Sequence, residues 1–173
     1  MIRGDDMSDI EIRDASDSDL ARMREIYNEV LAWSTAIFSD IARSAEDHSR
    51  WYADRRSQGW PVIVACRGES VLGYATYGSF RTWPGYRHTV ENSVYVSASA
   101  RGQGVGTRLL SVLLERAKTQ GLHAMIAGID GDNTVSMELH AKAGFTKVGH
   151  LRQVGRKFDR WLDLVFYECL LSD

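Results

Sequence analysis

Between residues 101 and 107 the chain reads Arg101-Gly102-Gln103-Gly104-Val105-Gly106-Thr107, and no other segment constrains the fold as much. Three alternating glycines remove side chains where an alternating apolar stretch, Thr89 to Ser97, hands over to a helical pattern, Thr107 to Gln120. A strand therefore passes through a bare turn into a helix. The freed amides, at the positive end of the helix dipole, make an anion site suited to a pyrophosphate. Arg101 adds a cation at its rim. A Walker loop needs a lysine after its last glycine, but Arg108 follows Gly106-Thr107 here. A dinucleotide fingerprint needs G-x-G-x-x-G at the first strand of a βαβ unit, whereas this G-x-G-x-G follows the fourth strand. The pattern that remains is Arg/Gln-x-x-Gly-x-Gly/Ala, met as Arg101-x-x-Gly104-x-Gly106.

At 173 residues the chain suits one domain. We expect a flexible leader over residues 1–9 and a single domain over 10–173. A short strand over Ile10 to Arg13 precedes Ser16-Asp17-Ser18-Asp19, a helix N-cap with acids in the first turn. Leu20, Met23, Ile26, Val30 and Leu31 then recur at helical spacing. Ser44 caps a second helix to about Arg56, with Trp51 and Tyr52 inward. Pro61 to Arg67 and Val71 to Ser79 read as a hairpin, Phe80 to Arg87 as a loop, and Thr89 to Ser97 as the next strand. After the glycine segment, Leu109, Leu110, Val112, Leu113 and Ala117 face the core and Gly121 stops the helix. His123 to Ile129 is a strand, Asn133 to Ala143 a helix, and Phe145 to Leu151 with Trp161 to Leu171 a closing hairpin. The order β-α-α-β-β-β-α-β-α-β-β predicts a three-layer α/β/α domain rather than a doubly wound one.

Composition narrows the function. Lys and Arg number 21 against 23 Asp and Glu, without the basic excess of a nucleic-acid binder. The two cysteines, Cys66 and Cys169, lie in apolar segments and read as buried thiols, not as a disulfide framework or zinc site. The histidines have no metal-ligand spacing, so no metal is expected. No apolar run reaches a membrane span, and the acidic, polar start is no secretory signal. These features predict a cytoplasmic protein without membrane or nucleic-acid partners.

About thirty residues beyond the glycine segment, Asn133-Thr-Val-Ser136 opens the helix that carries His140 and ends in Ala143-Gly144-Phe145. Here the chain resembles the GNAT acetyltransferase superfamily, over nearly all of residues 10–171. More narrowly it is similar to the phosphinothricin/methionine sulfoximine N-acetyltransferase branch. Thr35-Ala36-Ile37-Phe38, the run Tyr86 to Val96 containing His88-Thr89-Val90-Glu91-Asn92-Ser93, and Gly155 to Leu164 containing Lys157-Phe158-Asp159-Arg160-Trp161 carry that closer match.

The resemblance implies a GNAT-type sheet, mixed and mostly antiparallel, and acetyl-CoA as cosubstrate. Val94, Tyr95 and Val96 would pair by backbone with its pantetheine arm. Arg101, Gly102, Gln103, Gly104, Val105, Gly106 and Thr107 would take the pyrophosphate, with Asn133 and Ser136 helping. An amine is mostly protonated at pH 7, so transfer from a thioester needs a base. Glu91, early on the strand entering the glycine segment, is the expected base, and the resemblance places a carboxylate there. His140 stands where many superfamily members carry a tyrosine acid. It either protonates the leaving sulfur, relays a proton with Glu91, or is structural.

The loop Phe80 to Arg87 is expected to face the acceptor, with Arg81 forking its carboxylate and Trp83, Tyr86 and Phe38 as apolar walls. The resemblance adds Thr82, Asn92 and Ser93 as substrate contacts. It also implies a homodimer, with the Lys157 to Trp161 hairpin near the neighbouring active site. The implied reaction is acetylation of the α-amine of methionine sulfoximine, methionine sulfone or phosphinothricin. Other amines, such as a protein N-terminus or a polyamine, and a non-catalytic acyl-CoA-binding module are the alternatives. Two arginines and no acid in residues 80–88 count against polycationic acceptors.

Overall fold

The computed structural model describes residues 9–171, so the expected leader lies outside them apart from Asp9. The chain forms β1 (Glu11–Asp14), α1 (Leu20–Trp33), α2 (Ala45–Ser57), β2 (Val62–Arg67), β3 (Ser70–Ser79) and β4 (Thr89–Val96). It continues through α3 (Val105–Thr119), β5 (Ala124–Asp130), α4 (Thr134–Lys142), β6 (Thr146–Lys157) and β7 (Arg160–Leu170). This is the order the sequence predicts. The seven strands make one sheet, β1-β2-β3-β4-β5-β7-β6, in which only β4 and β5 run parallel.

Each face of the sheet has its own core. On one, Met23, Ile26, Tyr27 and Leu31 of α1 and Tyr52 of α2 pack on Val64 and Tyr74. On the other, Leu109, Leu110 and Leu113 of α3 pack on Ile63, Ala75, Val90 and Met125, and Met137 and Leu139 of α4 extend the same layer. The helical periods in the sequence thus become two layers that bury opposite faces of one sheet.

Several expectations change in detail. In α2 it is His48 and Tyr52, four residues apart, that are buried, while Trp51 is only partly covered. Cys66 is buried, but Cys169, next to the end of β7, is half covered. The β6 strand runs six residues beyond Leu151, because the register slips between Leu151 and Gly155 and Gln153 takes φ +56. That irregularity breaks the apolar alternation that would have revealed the strand. The hairpin between β6 and β7 turns on two residues only, Phe158 and Asp159, at φ +49 and +57.

Candidate active site

Glu91 is the last β4 residue paired with β5, opposite Ile126. From Asn92 to Val96 the strand keeps β3 but leaves β5, so the sheet opens into a cleft. Its β4 wall carries main-chain groups without a strand partner on that side. These are residues expected to meet the pantetheine arm: Val94, Tyr95 and Val96. Asn92 ties the apex, its Nδ2 donating to the Ile126 carbonyl at 3.2 Å.

The Glu91 side chain lies over Gly128 of β5, where a β-carbon would fall 2.8 Å from Oε1, with Leu164 and Phe166 as the next neighbours. Burial pushes its carboxyl pKa up, and the charge of Arg81 pulls it back. A half-buried carboxylate with a raised pKa suits proton abstraction.

Adjacent strand residues face opposite sides, so Asn92 points away from Glu91 into the α3/α4 layer. There it meets His140, which is 4% exposed. His140 Nδ1 donates to the Ser136 carbonyl at 2.8 Å, and Nε2 lies 3.1 Å from Asn92 Oδ1. Burial pushes the ring's pKa down and the Ser136 bond opposes it. Glu91 and His140 therefore occupy opposite faces, and among the described residues no hydrogen bond joins them as a proton relay.

At the mouth of the cleft, Gly102 and Gly104 adopt φ +75 and +76, and Gly104 caps α3. Their left-handed backbone turns the amides of the segment outward without the steric cost other residues would pay. Gly106 stands beside Leu139 and Val96, where a β-carbon would touch Leu139 Cδ2 at 3.4 Å. Arg101 and Thr107 are exposed at the rim. The Gln103 side chain is spent on the turn itself: it donates to Ser99 O at 2.9 Å and accepts from Arg67 at 3.1 Å. Asn133 caps α4 by accepting from Ser136 N at 3.1 Å, which leaves its Nδ2. An open strand edge and a glycine-cleared helix start fit a coenzyme with a pantetheine arm and a pyrophosphate.

The acceptor side is built from two loops. Arg81 stacks on Phe80, 4.0 Å from the ring centroid, and donates to its carbonyl at 2.8 Å. Phe80, which the sequence reading did not single out, sits edge-on to Tyr86 and Phe166. Thr82, Trp83 and Tyr86 are exposed around it. Phe38 arrives from the opposite side and lies on Gly155 of β6, where a β-carbon would fall 2.7 Å from Cε2. Its loop is held by a lysine missed as a site residue. Lys157 is buried and donates to the carbonyls of Leu31, Ser34 and Ile37 at 2.6, 2.8 and 2.9 Å. Thr35 of the same loop donates to the buried Asp130 at the end of β5. Ser93 shares the Glu91 face by strand alternation. A concavity of about 760 Å³ between α1 and α2 holds none of the expected site residues.

A profile of the acetyltransferase (GNAT) family matches residues 21–145, a span that runs from α1 through the cleft to the end of α4. The chain belongs to that family. It is 46% identical over 163 residues to the L-methionine sulfoximine/L-methionine sulfone acetyltransferase of Pseudomonas aeruginosa, covering 93% of this chain and 94% of that one. It is 34% identical over 164 residues to the phosphinothricin N-acetyltransferase of Streptomyces coelicolor, covering 93% and 96%. Among solved structures, the GNAT superfamily phosphinothricin acetyltransferase of Sinorhizobium meliloti, in complex with acetyl-CoA, superposes with TM-score 0.92. That pair shares 35% identity over 95% of this chain and 89% of the other.

Proposed function

We propose that this acetyltransferase moves acetyl from acetyl-CoA to the α-amine of methionine sulfoximine, methionine sulfone or phosphinothricin. The observation that carries the reading is the Glu91 carboxylate, half-buried over bare Gly128 where β4 leaves β5. The names of the relatives support the acceptor class.

Acetyl-CoA supplies an electrophilic thioester carbonyl with a sulfur leaving group. The α3 amides and Arg101 hold its pyrophosphate, and the open edge at Val94 to Val96 holds its arm. Glu91 takes the ammonium proton, directly or through water, and frees the nitrogen lone pair for the acetyl carbon. As the C–N bond forms the C–S bond breaks, and the departing thiolate takes up the second proton that the new amide nitrogen sheds. Arg81 forks the carboxylate, and Trp83, Tyr86 and Phe38 shape the side-chain space. His140 acts through Asn92, holding the apex of the cleft rather than exchanging protons with Glu91. Thiol release from acetyl-CoA tests the reading. We expect turnover on the three analogues and little on spermidine or an aminoglycoside; the reverse pattern would discard the acceptor assignment.

The same reading makes the enzyme a homodimer. Val148, Leu151 and Val154 of the edge strand β6, Phe158 of its turn and Trp161 at the start of β7 are all exposed. Monomers rarely leave such an edge uncovered. Phe158 and Asp159 also fill a turn whose positive φ values favour Asn-Gly, a local cost consistent with a contact role for Phe158. Light scattering checks this: a mass of two chains is expected, and Trp161→Glu should halve it. The two free thiols fit a reducing compartment such as the cytoplasm.

A further inference from the structure

The proposed acceptors share an oxygen on a tetrahedral sulfur or phosphorus, and that oxygen needs a donor. Arg55, in the last turn of α2, lays its guanidinium on Gly78 of β3, where a β-carbon would come within 2.7 Å of Cζ. Gly78 is the register partner of Glu91 across β3 and β4. Register partners in an antiparallel pair present their side chains to the same face, about 5 Å apart at the backbone. The guanidinium therefore stands on the Glu91 face of the sheet, one strand away.

Some arginines of this chain pair with carboxylates, Arg13 with Asp19, Arg116 with Asp14 and Arg160 with Asp132, while Arg43 stacks on Tyr27 and Arg81 on Phe80. Among the described residues Arg55 has no carboxylate pair, and its guanidinium makes no hydrogen bond to a protein acceptor. It is nevertheless half-buried: burial disfavours its charge, the Tyr95 hydroxyl favours it and the neighbouring Arg43 disfavours it again. A planar cation lying on the sheet, partly desolvated and without a hydrogen-bonded acceptor among the described residues, is a binding group in waiting. Gly78 completes it, because any side chain there would push the fork off the sheet.

We propose that Arg55, seated on Gly78, is a specificity-determining residue that donates to the head-group oxygen of the acceptor while Glu91 holds its amine. This rests on the acceptor class proposed above. The assignment divides the labour between two arginines: Arg81 at the exposed rim takes the carboxylate, and Arg55 on the floor reads the tetrahedral group.

Methionine sulfone and methionine share every atom except the two sulfur oxygens, so the ratio of their kcat/KM values isolates this contact. In Arg55→Met we expect the wild-type preference for the sulfone to fall about 10- to 100-fold, the scale of a lost charge-assisted hydrogen bond. The loss should appear in the sulfone KM, with the acetyl-CoA KM within about threefold. Arg55→Lys should recover part of the preference. If Arg55→Met does not fold, Gly78→Ala displaces the fork and should lower the same ratio. Equal losses on both acceptors, or a wild type without preference for the sulfone, would overturn the role of Arg55 alone. A wild type silent on the sulfone would overturn the acceptor class as well.

Discussion

Oε1 of Glu91 lies so close to the bare α-carbon of Gly128 that a β-carbon there would sit 2.8 Å away. The carboxylate thus rests on a glycine of the neighbouring strand at the point where the sheet opens, and Leu164 and Phe166 flank the same glycine. Its position is set by what β5 lacks.

Gly128→Ala should therefore injure the chemistry more than the fold. The added methyl must push the carboxylate aside. We expect kcat to drop about 10- to 100-fold, a displacement effect of the size a misplaced catalytic group produces. The acetyl-CoA KM should stay within twofold. A variant with unchanged kcat would mean that Glu91 works from another rotamer.

Lys157 links the β6–β7 hairpin to the loop that carries Thr35 and Phe38. Three main-chain carbonyls lose their donor in Lys157→Met. Stability should fall by about 2–4 kcal/mol, since the ammonium's partners are left buried and unsatisfied. The acceptor KM should rise more than the acetyl-CoA KM. Urea unfolding and steady-state kinetics check the two parts, and unchanged acceptor KM would confine Lys157 to folding.

Asp19 gives a purely structural counterpart. Arg13 grips both its oxygens, at 2.7 and 2.8 Å, and Ser16 donates to it as well, so its pKa falls to about 2. A depressed carboxyl pKa contributes stability above the unfolded value of 3.8, and that contribution is lost as pH falls towards 2. Asp19→Asn should cost about 1–2 kcal/mol at pH 7 and progressively less below pH 4, with kcat unchanged. Melting at pH 7 and pH 3 measures the difference.

The layers and the coenzyme cleft were legible because their signals are local. Alternating apolar residues, helical spacing and three glycines before Thr107 each fix a short stretch of backbone, and together they gave the strand and helix order. The acceptor side was legible only in part. Arg81 and Trp83 announce themselves in a loop, but Arg55 looks like any solvated residue at the end of a helix until Gly78 comes beneath it. Lys157 reads as one charge among several in a turn until α1 ends above it. An imidazole at His140 can exchange a proton at neutral pH, which suggests a relay with Glu91, yet strand alternation sends Asn92, and hence His140, to the other face. Such relations depend on which face of the sheet a residue meets, and that is decided by pairing between distant segments.

The most direct test of the account is the pH dependence of methionine sulfoximine acetylation by Glu91→Gln. In the wild type, burial raises the Glu91 pKa, so kcat should rise with pH as this carboxyl ionises, above the ordinary glutamate value of 4.5. The variant should lose about 10²- to 10⁴-fold in kcat, keep its acetyl-CoA KM and lose that acidic limb. Activity at pH 8 within twofold of wild type, with the limb intact, would contradict Glu91 as the base.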